Sequence, residues 1–310
     1  MKKWNYDFEV PDKKKIRMIV HTDCKNEADD QFAVAHHLMT PKFIVRGIVA
    51  GHFNFNPQEY GDGHTAQASF DEVNKVLKLM DVEGICPVVK GSEYPMPDEQ
   101  TPMPSDGARL IIEEAMREDP HPLFVAFQGA ITDLATAILM EPKICQRMTA
   151  IWIGGGDYPS GGREFNLMQD IAAANVVMKS SMPLWQVPIT VYKQMAVSLA
   201  ELQYFVKPCG AIGNYLFTQM VEFNNKLADF DFPWPHGEIW GLGDSPTIGV
   251  LLEEAEKDDI YDMVPAPCIN YEDMTYSFEQ ENRKIRVYKQ VNARLIMNDF
   301  YAKLALNYKE

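Results

Sequence analysis

The chain repeats one pattern up to about residue 187: a short apolar run without helical period, a polar segment, and then apolar residues at helical spacing. The apolar runs predict buried strands near residue 17 and at 43–50, 87–90, 123–127, 150–153 and 184–187. The helical spacing predicts helices at 64–80, 106–117, 133–140, 170–178, 199–228 and 246–255. Strands that alternate with helices predict an α/β fold, in which a mostly parallel, Rossmann-like sheet is flanked by helices on both faces.

The end of the chain departs from this pattern. Residues 274–298 alternate between apolar and polar positions, which predicts a C-terminal antiparallel strand pair. No low-complexity linker divides the chain, and 46% of its residues are apolar, enough for a sizeable core. We therefore expect a single domain over residues 1–310.

A cluster of carboxylates follows the first predicted strand. Asp23, Glu27, Asp29 and Asp30 lie in the loop between that strand and an Ala/Val-rich helix. Open α/β sheets bind ligands at the carboxyl ends of their strands, so chemistry is expected here. Several carboxylates that converge repel one another unless a hard cation such as Ca²⁺ or Mg²⁺ neutralises them. Acidic residues at a helix start are also ordinary capping, and the loop alone is compatible with either interpretation.

Charge and cysteine content limit the partners and the compartment. The chain has 29 Lys and Arg against 44 Asp and Glu, a net charge of −15, which opposes binding to nucleic acid or to an anionic membrane. Its five cysteines show no spacing typical of a zinc site or a redox motif, and no apolar run has the length of a membrane span. The N-terminus lacks the apolar core of a signal peptide. We expect a cytoplasmic protein with free thiols.

Further polar residues lie on or near other predicted strand ends: His52, Asn54, Thr132, Glu164 and Asn166, with Asp244 in a late loop before a helix. Together with the acidic loop, this constellation resembles the inosine-uridine preferring nucleoside hydrolase family and, more closely, its nucleoside-hydrolase-like branch. The segments that carry the resemblance are 22–30, 128–135, 154–156, 164–174 and 243–246. They occur in the family's order, and the resemblance covers about residues 17–298.

The resemblance implies hydrolysis of the N-glycosidic bond of a ribonucleoside or a related N-ribosyl compound. It implies a Ca²⁺ ion, with Mg²⁺ as the alternative, and a homodimer or homotetramer. The implied metal ligands are Asp23, Asp30, the carbonyl oxygen of Thr132, and Asp244. Asp23 would also accept a proton from the attacking water. The implied sugar ligands are Asp29, Glu164 and Asn166.

The sequence departs from the family pattern at several positions. The spacing from Asp23 to the Asp29-Asp30 pair is longer than in the family consensus, and His21 stands where an aspartate is usual. His52 takes the place of a ribose-binding asparagine, which Asn54 could replace. Gly243 lies where a subset of the family has a leaving-group histidine.

These departures affect the leaving-group side of the site. We expect His236 and Trp240 to help bind the leaving base, with Tyr158 beside them. The departures also leave open a second function, a catalytically weak or inactive protein that binds ribose or nucleosides on the same fold. A metal-dependent phosphohydrolase is disfavoured, because no Walker-type loop is present and Asp23-Cys24-Lys25 lacks the second aspartate of aspartyl-phosphate enzymes.

Overall fold

The computed structural model describes residues 4–54, 60–228, 237–253, 258–279 and 283–309. Its strands are β1 (Ile16–Thr22), β2 (Phe43–Ala50), β3 (Val88–Lys90), β4 (Leu123–Phe127), β5 (Met148–Ile153), β6 (Leu184–Val187), β7 (Ala196–Ser198), β8 (Ile239–Gly241), β9 (Tyr261–Pro265), β10 (Cys268–Ile269), β11 (Tyr276–Ser277) and β12 (Lys284–Tyr288). Its helices are α1 (Asp30–Met39), α2 (Thr65–Leu79), α3 (Asp106–Met116), α4 (Thr132–Met140), α5 (Phe165–Gln169), α6 (Ile171–Lys179), α7 (Ile189–Tyr192), α8 (Leu199–Phe205), α9 (Gly210–Leu227), α10 (Pro246–Leu252) and α11 (Ala293–Tyr308).

Eight strands form the central sheet, in the order β3-β2-β1-β4-β5-β6-β12-β9. All neighbouring pairs are parallel except β12 and β9, which are antiparallel at one edge. The prediction of a mostly parallel sheet with a C-terminal antiparallel strand pair is thus confirmed. Every residue of β1 is buried, as expected for a strand covered on both faces.

Apolar cores lie on the two faces of the sheet. One packs around α1, α9, α10 and α11, and the other around α3, α4 and α6. All residues of α1 are buried, so this helix is surrounded by protein instead of presenting a polar face to solvent. Within the described residues, no helix is long and apolar enough to cross a membrane.

The extent of the C-terminal strands differs from the prediction. Only β11 and β12 fall within 274–298, and α11 begins at Ala293. Ile296, Met297, Phe300 and Leu304 lie on the buried side of α11, and their spacing of three to four residues is helical. The alternating pattern therefore ends with β12, and its extension to residue 298 was wrong.

The strand order fixes where a ligand can bind. From β1, the chain builds the sheet outward through β2 and β3 on one side and through β4, β5 and β6 on the other. The carboxyl ends of β1 and β4 therefore flank a topological switch point, where the crossovers on the two sides diverge and leave a crevice.

Candidate active site

A cavity of about 610 Å³ opens at this switch point. Its acidic lining comes from the β1–α1 loop, from the loop after β5 and from the loop before α10. The carboxylates in the lining are Asp23, Glu27, Asp29, Asp30, Glu164 and Asp244. The cavity thus joins segments that are more than 200 residues apart in sequence, since Asp244 N donates a hydrogen bond at 3.2 Å to Oδ2 of Asp29, which lies 215 positions earlier.

Three buried aspartates converge most closely. Asp29, Asp30 and Asp244 each place one carboxylate oxygen within 4.8 Å of the others. Thr22 Oγ1, on the last residue of β1, donates a hydrogen bond to Asp30 Oδ1. Asp29 occupies the N-cap position of α1, yet its side chain makes no capping hydrogen bond. The helix-capping interpretation of Asp29 is therefore not supported, and its carboxylate is directed to the Asp244 backbone.

Asp23 lies beside this triad and is also buried. Its backbone carbonyl accepts hydrogen bonds from Lys25 N at 2.6 Å and Asn26 N at 2.7 Å, which fix the turn after β1. A Cβ atom at Gly129 would lie 2.8 Å from Asp23 Cγ, so the loop after β4 needs glycine to approach this carboxylate. Asp23 Oδ2 is buried and has no hydrogen-bond partner among the described residues.

The electrostatics of the cluster disfavour its fully ionised form. Burial raises the pKa of Asp29 to about 6 and that of Asp30 to about 8, and the charge of Asp29 adds to the effect on Asp30. Burial, followed by repulsion from the neighbouring carboxylates, also raises the pKa of Asp23, Glu27 and Asp244 well above the usual range. The protein without a cation therefore holds protons here at a pH where ordinary carboxylates are ionised.

The residues present fit a hard divalent cation. Such an ion prefers carboxylate and carbonyl oxygens, and its charge would offset the mutual repulsion of the cluster. The unpaired Oδ2 of Asp23 is one available ligand atom, and Gln128 Oε1, also buried without a partner in the described part of the chain, is another in the same lining. Gln128 Nε2 is held by Thr247 Oγ1 at 3.0 Å, which leaves the amide oxygen as the free end of that side chain.

Thr132, an expected metal ligand, is not in the cavity lining. It is the first residue of α4, and its hydroxyl donates to Asp170 Oδ2 at 2.6 Å and lies 2.8 Å from His52 Nε2. The loop after β4 reaches the cavity earlier, at Gln128, because α4 begins at residue 132 and turns the chain away. Gln128, and not Thr132, is thus the residue of this segment that lines the cavity.

His52 and Asn54 are not brought to the cavity either. His52 is buried, its Nδ1 accepts from Asn54 N at 3.3 Å, and burial lowers its pKa to about 4, so it is a neutral residue that supports Thr132. The Asn54 side chain bonds to Asp62 Oδ1 at 2.8 Å and to Gly63 N at 2.9 Å within its own loop. These hydrogen bonds occupy both ends of the Asn54 side-chain amide, which was expected to reach the ribose.

Glu164 and Asn166 line the same cavity as the acidic cluster, although they come from a distant segment, at the start of α5. Glu164 is the N-cap of α5, and its carboxylate accepts from the backbone N–H groups of Asn166 and Leu167. Asn166 Nδ2 donates to Ile153 O, the last residue of β5, at 2.9 Å. Burial raises the pKa of Glu164, although its hydrogen bonds act against that shift.

An apolar wall completes the cavity. Trp240 in β8 is fully buried and packs edge-on against Phe223, with ring centroids 5.5 Å apart. Tyr158, expected nearby, is outside the lining, because its hydroxyl donates to Pro265 O. His236 lies outside the described residues.

Gln128 and Tyr192 line the cavity, although neither was among the expected site residues. Both lie at or just after strand ends, at β4 and β6, which is the signal that singled out the other candidates. Thr132 was the residue expected to act from the segment after β4, and no role was expected for Tyr192. The hydroxyl of Tyr192 donates to Glu164 Oε1 at 2.9 Å.

The raised pKa values predict how the stability of the cation-free protein depends on pH. The folded state keeps protons that the unfolded chain releases near pH 4, so the free energy of unfolding should fall as pH rises from about 4 to about 8. Melting temperatures in chelator, compared between the wild type and Asp30→Asn, isolate this contribution from that of other groups. We expect the melting temperature of Asp30→Asn, relative to that of the wild type, to increase across this pH range. Melting temperatures that change with pH in parallel in the two proteins would contradict the raised pKa of Asp30.

Comparison with known proteins agrees with the geometry. The profile of the family described as inosine-uridine preferring nucleoside hydrolase matches residues 18–297. A pyrimidine-specific ribonucleoside hydrolase, RihA of Salmonella arizonae, is 25% identical over 261 residues, which cover 74% of this chain and 78% of the relative.

Solved structures share the fold. A purine-preferring ribonucleoside hydrolase from Gardnerella vaginalis matches with a TM-score of 0.74 and 16% identity, covering 94% of this chain and 99% of the other. An inosine-uridine preferring nucleoside hydrolase from Bacillus anthracis gives 0.67 and 15%, with coverage of 94% and 99%. The chain belongs to the inosine-uridine preferring nucleoside hydrolase family, and it is an N-ribosyl hydrolase.

Proposed function

We propose that this member of the nucleoside hydrolase family uses a divalent cation to hydrolyse the N-glycosidic bond of a ribonucleoside or a related N-ribosyl compound. The observation that carries the proposal is the convergence of Asp29, Asp30 and Asp244 within 4.8 Å at the switch point, beside the unpaired carboxylate oxygen of Asp23. Such a cluster is costly to bury without a cation, and a cavity large enough for a small ligand adjoins it.

The residues that would hold the cation are Asp23, Asp30 and Asp244, with Gln128 supplying an amide or backbone oxygen. We propose Ca²⁺ over Mg²⁺, because a set rich in carboxylates suits the larger and less regular coordination of Ca²⁺. When bound, the cation would lower the pKa of a water molecule and neutralise the cluster.

Asp23 is the proposed general base. Its carboxylate has two oxygens, so one would bind the cation while the other would accept the proton that water loses on attacking the anomeric carbon. As the bond between the anomeric carbon and the nitrogen breaks, positive charge develops on the sugar and the electron pair leaves with the aglycone. Asp29 and Glu27, which line the same cavity, would stabilise that charge.

The opposite wall would position the substrate. Asp29 and Asn166 offer polar groups to the ribose, and the apolar residues around the buried Trp240, with Ile239 half exposed, offer a surface on which the aglycone can pack. Among the described residues that line the cavity there is no histidine that could protonate the leaving group. The alternative expected from the sequence, binding of ribose or nucleosides with little or no turnover, would need such an absence, but membership of a hydrolase family does not favour that alternative.

Release of reducing sugar from a panel of ribonucleosides, with and without chelator, tests the proposal. We expect ribose release that is lost in chelator and returns when Ca²⁺ is added, with Mg²⁺ restoring less. Release that persists after complete removal of divalent ions would refute the metal-dependent mechanism. Calcium-dependent binding of ribonucleosides without any release would favour the binding function instead.

A further inference from the structure

The proposed function assigns no role to Tyr192, although this residue lines the cavity. It is the last residue of the short helix α7, which follows β6. Its hydroxyl donates to Glu164 Oε1 at 2.9 Å. The resemblance that singled out the sugar-binding residues assigned the sugar contact to Glu164 and gave Tyr192 no role.

The carboxylate of Glu164 has no acceptor position left for a ligand. Oε2 accepts from Gly155 N and Leu167 N, both at 2.8 Å, and Oε1 accepts from Asn166 N at 3.1 Å and from the Tyr192 hydroxyl. A carboxylate offers about four lone-pair directions, so these four bonds saturate it. A ribose hydroxyl could bond to Glu164 only by displacing one of them.

The Tyr192 side chain is held in this position from two sides. Ile189 N donates to Gly155 O at 3.1 Å, and Tyr192 N donates to Pro188 O at 3.0 Å, so the backbone of α7 is tied to the loop after β5. On the ring, a Cβ atom at Gly243 would lie 3.2 Å from Tyr192 Cδ2. A side chain at Gly243 would therefore require the ring to shift by a few tenths of an ångström.

We propose that the Tyr192 hydroxyl, and not the Glu164 carboxylate, is the direct ligand of one substrate hydroxyl on this wall of the cavity. The Tyr192 oxygen donates its proton to Glu164 and keeps its lone pairs, so it accepts a hydrogen bond from the substrate. Glu164 is then a positioning residue that orients the phenol and caps α5. This inference rests on the proposed function, because it takes the ligand to be an N-ribosyl compound.

The same arrangement argues against a role for Tyr192 as the acid that protonates the leaving group. Burial and the adjacent Glu164 charge hold the pKa of Tyr192 well above its usual range. Its proton is also committed to Glu164. A group of this kind recognises a hydroxyl but is a poor proton donor at neutral pH.

Binding measurements separate this inference from turnover. In an Asp23→Asn background with Ca²⁺ present, dissociation constants are measured for inosine and for its 2′-, 3′- and 5′-deoxy analogues. Tyr192→Phe removes only the hydroxyl, and Tyr271→Phe, whose hydroxyl bonds to Glu99 on an exposed loop, is the matched control.

We expect Tyr192→Phe to weaken inosine binding about three- to tenfold. The penalty for a deoxy analogue is the factor by which its dissociation constant exceeds that of inosine. We expect this penalty to disappear for one analogue in Tyr192→Phe and to remain in the control. Unchanged penalties for all three analogues, or tighter binding once Glu164 Oε1 is released, would overturn the role of Tyr192 alone. Failure of inosine and all three analogues to bind to, or be hydrolysed by, Tyr271→Phe protein that keeps Asp23, with Ca²⁺ present, would overturn the role of Tyr192 together with the proposed function.

Discussion

Replacing Asp23 by asparagine is expected to lower kcat by about 10²–10⁴-fold, the usual contribution of a general acid or base. The amide has nearly the same shape, so the close approach of Gly129 is preserved, but it cannot take the proton of the attacking water. Since burial and the neighbouring acids raise the pKa of Asp23, its removal also relieves repulsion. The melting temperature in chelator should therefore stay the same or rise while activity is lost.

The exposed Asp12, in the N-terminal segment outside the cavity, provides the control. Asp12→Asn makes the same chemical change and should leave kcat and the melting temperature unaltered. Near-normal turnover of Asp23→Asn would exclude Asp23 as the base. A loss of activity that followed a loss of folded protein would instead indicate that Asp23 acts through stability.

Local pattern was enough to predict the parallel part of the sheet. Strands such as β1 and β4 are short apolar runs buried on both faces, and each ends abruptly in polar residues. Because parallel strands bring their carboxyl ends to one edge, the polar loops after β1 and β5 could be placed together before their distances were known. The acidic loop also meets Asp244, whose place beside it was implied by the family resemblance and not by the strand ends, since Asp244 follows no strand of the central sheet.

The choice between nearby residues in one loop could not be made from the sequence. Gln128 and Thr132 are four positions apart, and both are polar. Which of them reaches the cavity depends on where β4 ends and α4 begins, and strand and helix ends are the least certain part of any such prediction. His52 lies outside the cavity for a similar reason, because its partner Thr132, whose hydroxyl in turn donates to Asp170, comes from a distant segment.

The role of His21 also depends on a distant partner. His21 Nε2 lies 2.8 Å from Asp133 Oδ2, and both side chains are buried beneath the site. Asp133 further accepts from Ser92 N at 3.1 Å, which ties this pair to the loop after β3. The sequence showed only that a histidine had replaced an aspartate; the structure shows a buried pair that links β1 to α4.

The second large effect concerns the leaving group. A substrate such as p-nitrophenyl riboside, whose aglycone leaves as a stable anion, should exceed inosine in kcat/KM by at least about 10²-fold, because general-acid catalysis commonly contributes 10²–10⁴. No histidine lines the described cavity, and a side chain at Gly243 would crowd Tyr192. The described wall near Trp240 can pack against a base but offers it no histidine.

His236 provides the decisive variant, since it is the remaining candidate acid near this wall in sequence and lies outside the described residues. If no acid operates, His236→Ala should change kcat/KM for inosine and for the activated riboside by the same small factor. A loss confined to inosine would identify His236 as the acid, because protonation matters only when the aglycone is a poor leaving group. Inosine hydrolysed faster than p-nitrophenyl riboside by the wild type would contradict the prediction outright and show that leaving-group departure is assisted by a group supplied from elsewhere in the chain.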